Sequence, residues 1–404
     1  MIVLIDILAQ IFQFIPTREL CNNVVRVNKL FWRAASLPLA WKHCRLHVKN
    51  NKHTSLPRIA LHLKSLHLSS CDDPVIVNRL ISQAPRLEFL KLGYCSVGLH
   101  DSIPPRPNLR ALQVHGIWTT GLASWINRHS DQLKSVHFIL GYNIRTIKYI
   151  QEFNWSVTEK MILKLNGNFG CLMHAEIYAP NLRVLTIANY GDMLSEINMP
   201  PVATFFHSKS LSRLEQLELR LYRLQCFNFL GPDLQQLQAL QRLSLYFHGF
   251  FHLDSASFQS IQGLKQLKVL QIYVTDCLKE QTSPETIVYF PPLPNLVEVA
   301  SDWVFLVAQI AKSNPQIERC TVIEESLQMV AFLDTGLNNL ENWDQVFQSL
   351  PNLKQVQFKE RQLDVFCQEL GMHVVDGILN PEQIALLKTQ LQLQASEKAK
   401  EQSE

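Results

Sequence analysis

Short runs that alternate apolar and polar residues recur along most of the chain. The stretches LHLKSLHLSSC (61–71) and PRLEFLKLGYC (85–95) share the order L-x-x-L-x-L-x-x-C, so Cys71 and Cys95 lie 24 residues apart at matching positions. Side chains of a β-strand alternate between two faces, and the L-x-L part of each run therefore predicts a short strand with one buried face. The same unit at a fixed interval predicts an internal repeat.

Further apolar pairs with this spacing mark the centres of predicted strands along the rest of the chain. The series is predicted to begin at Leu46/Val48 and to continue at Leu66/Leu68, Leu90/Leu92, Leu112/Val114, Val136/Phe138, Leu163/Leu165, Leu185/Ile187, Leu217/Leu219, Leu243/Leu245, Leu270/Ile272, Val299/Ser301, Cys320/Val322 and Val356/Phe358. From Leu66/Leu68 onward, successive centres are 21 to 36 residues apart. Most intervals lie in or near the roughly 20–29 residues of leucine-rich repeats, and motif and spacing together resemble that family.

The resemblance implies an α/β fold in which each unit supplies one parallel strand and a return segment. A single unit cannot bury its leucines, whereas stacked units bury them in one continuous core. Residues 74–85 and 303–315 carry apolar side chains at helical spacing, and each ends at a proline, which is a common helix stop. We expect a curved solenoid of about twelve parallel strands with outer helices.

The cysteines of the repeats invite a chemical interpretation as well as a structural one. Cys71 and Cys95 occupy the position where leucine-rich repeats place Asn or Cys, and we expect them to point inward. A reactive or metal-binding thiol is the alternative, with His62 and His67 as neighbours of Cys71. On a strand, His67 faces away from the buried leucines, so the three groups do not converge on one ion. Catalytic and nucleotide-binding motifs are also missing from the sequence, which predicts no enzyme activity and no cofactor.

The first fifty residues have a different pattern. Residues 1–16 read as a helix whose polar positions, Asp6, Gln10 and Gln13, form one narrow stripe. A helix that is apolar on nearly all sides needs a second partner besides its own domain, either a protein or a lipid. Fifteen helical residues span only about 22 Å, which is short of the ~30 Å core of a bilayer. Thr17 can cap a second helix, and more helix is predicted as far as Trp41.

This segment resembles an F-box. The stretches VLIDILAQIFQFI (3–15) and RELCNNVVRVNKLFWRAASLPLAW (18–41) follow the two halves of the family pattern, although Leu4 stands where the family has proline and Asn28 replaces a common cysteine. An F-box followed directly by leucine-rich repeats is the layout of the F-box/leucine-rich-repeat family. That family supplies the substrate receptors of Skp–cullin–F-box ubiquitin ligases.

The resemblance implies which residues contact a Skp-type adaptor, and through it a cullin–RING ligase. The implied adaptor-binding residues are Leu4, Ile5, Leu8, Phe12, Ile15 and Pro16. The residues expected in the core of the domain itself are Ile7, Ile11, Val27, Trp32 and Trp41. The alternative interpretation is a repeat scaffold that binds a protein without recruiting a ligase. An exposed apolar patch on residues 4–16 favours the receptor, and a covered one favours the scaffold.

In either interpretation a protein partner binds the strand faces that the leucines leave open. Aromatic and arginine side chains supply most binding energy at protein interfaces, while other exposed residues merely solvate the sheet. On this basis the candidate substrate-binding residues are Arg220, Tyr246 and Tyr273. The outward-facing His137 and Gln271 are further candidates.

Composition limits the class of protein, and the sequence pattern gives the predicted domain boundaries. With 47% hydrophobic residues, 18% charged residues and a net charge of +3, the chain suits a folded protein whose main partner is neither nucleic acid nor a membrane. Nine cysteines without a C-x-x-C pair favour a reducing compartment, cytoplasmic or nuclear. We predict an F-box domain (1–48), a repeat solenoid (49–361), a C-terminal cap helix (362–395) and a disordered tail (396–404).

Overall fold

The computed structural model covers the chain in segments that form two compact units. The units comprise residues 1–195 with 208–211, and residues 196–207 with 212–404. The described residues are 2–15, 19–20, 23–37, 40, 45–49, 61, 63–71, 73–94, 106–116, 120–140, 154–165, 178–189, 211–221, 234–248, 258–275, 289–323, 336–359, 367–368, 370–372, 374 and 377–401. The predicted domain boundaries remain predictions.

The first unit begins with helices and continues as a ladder of parallel strands. Helix α1 (Ile2–Phe12), a 3-10 turn (Val24–Arg26) and α2 (Lys29–Ala35) come first. The strands are β1 (Arg45–Lys49), β2 (Ser65–Ser69), β3 (Phe89–Gly93), β4 (Ala111–Gly116), β5 (Ser135–Leu140), β6 (Lys160–Leu165) and β7 (Val184–Asn189). Helix α3 (Pro74–Ser82) joins β2 to β3, and α4 (Thr120–Asn127) lies between β4 and β5. Each strand pairs in parallel with the next.

The second unit repeats this arrangement and ends differently. Its strands are β8 (Gln216–Leu221), β9 (Arg242–His248), β10 (Val269–Thr275), β11 (Glu298–Ser301), β12 (Arg319–Ile323), β13 (Gln355–Lys359) and β14 (Ile378–Leu379). Its helices are a 3-10 helix (Gln259–Gly263), α5 (Val304–Ser313), α6 (Gly336–Ser349) and α7 (Pro381–Glu401). Strands β8 to β13 are parallel, whereas β14 pairs antiparallel with β13.

Leucine ladders form the core of each unit. In the first, Leu66 is in register with Leu90, and Leu90 with Leu112. In the second, Leu217 is in register with Leu243, and Leu243 with Leu270. These side chains are almost completely buried. Parallel strands, one per repeat, with their leucines stacked in register are the leucine-rich-repeat arrangement, so the predicted α/β repeat fold is confirmed.

One predicted strand centre is displaced by two residues. The sequence pattern placed the centre of β6 at Leu163/Leu165, but Val136 pairs with Met161 and Phe138 with Leu163. The centre is therefore Met161/Leu163, and both side chains are fully buried. The pattern was ambiguous because apolar residues occupy three successive alternating positions, and a two-residue shift leaves every side chain on its original face.

The predicted return helices are present, and their ends have local causes. Helix α3 begins at Pro74, where the Asp73 carboxylate accepts the N–H of Val75 at 2.8 Å. Such an N-cap satisfies one of the unpaired donors at the start of a helix. Helix α5 ends at Ser313, two residues before the proline that was expected to stop it.

The C-terminal segment covers the last repeat of the second unit. Helix α7 packs on α6 and β13, with Ile384, Leu387 and Leu391 buried on one face, as their helical spacing predicted. The helix continues to Glu401, beyond the boundary predicted at residue 395. None of the seven α-helices in the described part of the chain combines the length and the apolar character that a bilayer span requires.

Candidate protein-interaction surfaces

Helix α1 has two apolar sides, and only one of them is covered. Ala9 and Phe12 are buried where α1 packs on α2, and the ring of Phe12 lies 5.4 Å from that of Phe31, centroid to centroid. The other side exposes Leu4 (48%), Ile7 (46%) and Ile11 (52%) at helical spacing, and the exposed Phe14 (80%) follows in the turn after the helix. We call these four residues the α1 stripe.

The residues exposed on α1 differ from those that the sequence predicted. Ile7, Ile11, Val27 and Trp32 were expected in the core of the domain and are instead exposed, so that expectation is wrong. Of the implied adaptor-binding residues, Leu4 is exposed, Ile5, Leu8 and Ile15 are partly exposed, and Phe12 is buried. Pro16 and Trp41 lie outside the described residues. The physical reason is the rotation of α1, which turns Ala9 and Phe12 rather than Ile7 and Ile11 toward the interior.

Asn28, which departs from the F-box pattern, has a structural role. Its side-chain oxygen accepts the N–H of Phe31 at 2.9 Å and caps the start of α2. The cap fixes where α2 begins, and Phe31 one turn later carries the ring that packs on Phe12. The departure therefore supports the contact between the two helices.

On the second unit, three of the predicted substrate-binding residues form one cluster. Arg220, Tyr246 and Tyr273 occupy the same register position on β8, β9 and β10, on the face opposite the leucines. The guanidinium carbon of Arg220 lies 4.4 Å from the centroid of the Tyr246 ring, and the Tyr246 and Tyr273 rings stack at 4.8 Å with 15° between their planes. This Arg–Tyr–Tyr cluster is the kind of preorganised aromatic surface that anchors protein interfaces.

Polar contacts hold the Arg–Tyr–Tyr cluster in place. Glu218 accepts a charge-assisted hydrogen bond from Arg220 Nε at 2.7 Å. One register row below, Ser244 Oγ donates to Gln271 Oε1 at 2.7 Å, which fixes the fourth predicted residue beside the rings. Both side chains of the Arg220–Glu218 pair are about one-third exposed, so the pair mainly orients the guanidinium rather than adding stability.

His137, the fifth predicted residue, belongs to the first unit and has a different environment. It lies on the open face of β5, where burial and then Lys164, Lys91, His115 and Lys160 lower its pKa to about 4. The imidazole is therefore neutral at pH 7. Its Nε2 atom is buried and has no hydrogen-bond partner in the described part of the chain.

Buried polar side chains between repeats were not predicted. Asn314, fully buried after α5, accepts the N–H of Leu293 at 2.7 Å and donates to the carbonyl of Ile310 at 2.9 Å. His129 occupies the matching position after α4, where it contacts the carbonyl of Trp125 and accepts the N–H of Arg106. The available sequence signal was a polar residue one or two positions after each helix and three or four positions before a buried aliphatic residue, Leu133 or Ile317.

Cys71 also links two repeats. It is fully buried, and its thiol lies 3.5 Å from the carbonyl of Ser69 and 3.9 Å from that of Val48. The predicted inward orientation is confirmed for Cys71, whereas Cys95 lies outside the described residues. No group of three His, Cys, Asp or Glu side chains within the described segments is arranged to hold a metal ion.

Comparison with known proteins gives no family assignment beyond the fold. No family model and no curated protein matches the chain. Solved structures that match include a TLR13–ssRNA13 complex (17% identity, TM-score 0.36), covering 70% of this chain and 36% of that one. An internalin (InlF) from Listeria monocytogenes is 13% identical with a TM-score of 0.35, covering 79% and 83% of the two chains. The Rad7 and Elc1 complex of yeast is 14% identical with a TM-score of 0.35, covering 90% and 92%.

This chain thus spans about a third of the length of the first of these matches, 36%. Similarities at these identities and TM-scores carry no argument about function. The structure itself defines the fold class, because in-register leucine ladders on parallel strands are the leucine-rich-repeat arrangement.

Proposed function

We propose that this chain is the substrate-recognition subunit of a Skp–cullin–F-box ubiquitin ligase. In this proposal α1 and α2 dock a Skp-type adaptor, and the open strand faces of the repeats bind a protein substrate. The chain itself is not catalytic, and the ubiquitin-transfer chemistry belongs to other subunits. The F-box-like pattern of residues 3–41 followed by repeats first suggests this role.

The α1 stripe is the observation that carries the proposal. Burying a side chain such as Leu, Ile or Phe contributes about 1.5–3 kcal/mol of favourable free energy. Covering all four exposed side chains with a partner would therefore stabilise a complex substantially. Contiguous apolar surface of this kind marks an interaction site. A scaffold whose helices served only its own repeats would instead cover these residues.

The structure revises which residues we expect at the adaptor. Leu4 keeps the role that the sequence implied, and Ile7, Ile11 and Phe14 join it because they are exposed on the same side. The partly exposed Ile5, Leu8 and Ile15 lie at the margins. Phe12 supports the interface indirectly by holding α1 against α2.

On the substrate side, the Arg–Tyr–Tyr cluster is the proposed anchor. Two stacked rings and an oriented guanidinium present a rigid surface, which costs little conformational entropy when a partner binds. Gln271, fixed by Ser244, adds a polar group beside the rings. We place the main substrate contact of the second unit here.

Isothermal titration calorimetry of the full chain with a Skp adaptor tests the proposal. The variant Ile7→Asp, Ile11→Asp places two charges on the α1 stripe without altering a buried residue. The matched control is Val75→Asp, Leu393→Asp, which changes two side chains that are 59% and 51% exposed on other helices. We expect binding by the wild type and the control and no detectable binding by the stripe variant, with all three equally folded by circular dichroism.

Two results would count against the receptor role. A well-folded wild type that does not bind the adaptor leaves the scaffold interpretation. Equal binding by the wild type and the stripe variant shows that the adaptor contacts another surface.

A further inference from the structure

Basic side chains lie in two neighbouring register rows on the open face of the first unit. His47, His67, Lys91 and His137 share one row, and His115 and Lys164 lie in the next outward row. One lies on each of six consecutive strands, β1 to β6, and each occupies an outward position opposite the leucines. The six residues, which we call the histidine–lysine face, are His47, His67, Lys91, His115, His137 and Lys164. All six side chains are at least partly accessible to solvent.

The histidine–lysine face contains no acidic side chain that would neutralise it. The described outward positions of β1 to β6 include no Asp or Glu. Two acidic residues of the first unit, Glu88 and Glu159, directly precede β3 and β6 and are paired with Lys64 at 2.6 Å and with Lys134 at 3.2 Å. Neither Lys91 nor Lys164 forms an ion pair with a described acidic side chain, so both remain available to an anionic ligand.

Ring contacts hold three of the histidines, His47, His67 and His115, in place. The rings of His47 and His67 stack with 4.2 Å between centroids and 9° between planes, and His47 Nε2 lies 2.7 Å from Ser69 Oγ. His115 packs against Tyr94 with 3.9 Å between ring centroids. These contacts hold the imidazoles in fixed positions, which favours a defined ligand over loose counterions.

We propose that the histidine–lysine face binds an extended acidic peptide segment of a protein partner. The partner is the substrate if the proposed function is correct, and this identification rests on that function. Adjacent strands lie about 4.8 Å apart, so six strands span about 24 Å, which an extended segment of about seven residues at ~3.3 Å each would match. Carboxylates on such a segment meet Lys91 and Lys164 and then the histidines between them.

The chemistry of the surrounding positions favours a peptide over nucleic acid. Gln113, Ile139 and Ile162 fill positions between the basic residues and suit peptide amide groups and aliphatic side chains. Proteins that bind single-stranded nucleic acid present aromatic platforms for successive bases. The described aromatic residues of this face, Phe89 and Tyr94, are both on or next to β3, and Tyr94 already packs on His115, so they do not form a series of platforms across the strands.

Protonation adds a dependence on pH. Burial, followed by His47 and Lys91, lowers the pKa of His67 to about 4, and burial with its lysine neighbours lowers the pKa of His137 to about 4. The pKa of His115 is lowered by burial and by Lys91 and Lys164. A bound carboxylate opposes the lysine charges and raises these pKa values, so binding takes up protons and strengthens as the pH falls.

Fluorescence anisotropy of the full chain with labelled octaglutamate tests the proposal, with octaglutamine, single-stranded dT8 and inorganic phosphate as competing probes. The variant Lys91→Gln, Lys164→Gln should weaken octaglutamate binding at least tenfold. The control Lys265→Gln, Lys312→Gln, which removes two exposed lysines of the second unit, should leave it within twofold. Lys91→Arg, Lys164→Arg should restore binding.

The affinity for octaglutamate should rise from pH 7.5 to pH 5.5. This rise should be smaller in the variant His67→Gln, His137→Gln.

Each contrary result overturns the proposal in a recognisable way. The proposed site is refuted if the double-lysine variant binds octaglutamate as well as the wild type does, or if the wild type does not bind octaglutamate. Tighter binding of dT8 than of octaglutamate makes it a nucleic-acid surface, and full competition by millimolar phosphate makes it a simple anion site. Adaptor calorimetry on the same lysine variant should match the wild type. If the chain binds octaglutamate but not the adaptor, the ligase role is rejected and the peptide-binding proposal stands.

Discussion

The ring of Phe12 packs on the ring of Phe31 with 5.4 Å between their centroids, and this contact decides which side of α1 is covered. Phe14, two residues further along the chain, leaves 80% of its side chain in solvent. The last residue of α1 and a phenylalanine in the turn that follows it thus have opposite surroundings.

This contrast predicts opposite responses to truncation. Phe12→Ala should destabilise the α1–α2 contact by about 3 kcal/mol, because it removes a buried aromatic side chain and leaves a cavity. Phe14→Ala should change stability by less than about 0.5 kcal/mol. Hydrogen exchange of the α1 backbone amides measures both effects. Equal protection in the two variants would show that Phe12 does not hold the helix.

Asn314 should be far more important for stability than its exposed counterpart Asn295. Asn314→Ala leaves the N–H of Leu293 and the carbonyl of Ile310 without partners in a buried site, at a cost of about 2–3 kcal/mol. Asn295 donates one exposed hydrogen bond to the carbonyl of Lys265, and Asn295→Ala should cost less than about 1 kcal/mol. Urea unfolding of the two variants gives the comparison, and similar midpoints would contradict it.

The buried thiols should resist alkylation in the folded protein. Burial raises the pKa of Cys320 to about 12, so almost no thiolate forms at pH 8, and Cys71 is equally enclosed. Iodoacetamide labelling followed by peptide mass spectrometry should modify these two cysteines only after urea is added. Modification of either within minutes in native buffer would show that its site opens.

Acid should destabilise the first unit through two histidines. The pKa values of His67 and His137 are about 4, below the unfolded value near 6.5. As the pH falls from 6.5 toward 4, the unfolded chain takes up protons that the folded chain does not, and stability decreases. The variant His67→Gln, His137→Gln should lose less stability between pH 7 and pH 5 than the wild type, as measured by urea midpoints. Parallel pH profiles would contradict this origin.

Much of the repeat architecture could be predicted because the period of two is a strong signal. The centre at Leu66/Leu68 was correct, since the polar residues Lys64 and Ser70 occupy the alternating positions on either side of the pair. The centre of β6 was displaced because Met161, Leu163 and Leu165 all alternate, and the pattern contains nothing that selects two of three.

The candidate surfaces were harder to predict. Tyr246 and Tyr273 were correctly placed beside Arg220, because register follows from the leucines. The covered side of α1 did not follow, because the narrow polar stripe of Asp6, Gln10 and Gln13 leaves most of the helix surface apolar and does not select which apolar side packs on α2. The histidine–lysine face was predicted only in part. His67 was expected on the open side and His137 was a candidate binding residue, but the basic character of the face did not follow because its members are spread over six repeats.

The last strand of the second unit has a consequence for association between molecules. An open strand edge is a template for pairing with another chain, yet the outer side of β13 is occupied by β14 running in the opposite direction. The turn depends on Gly377, whose positive φ of 68° and contact with the Phe358 carbonyl leave no room for a side chain. A bulkier residue at position 377 would displace β14 and expose the edge of β13 to pairing with another molecule. The glycine at this position therefore protects the protein from end-to-end polymerisation.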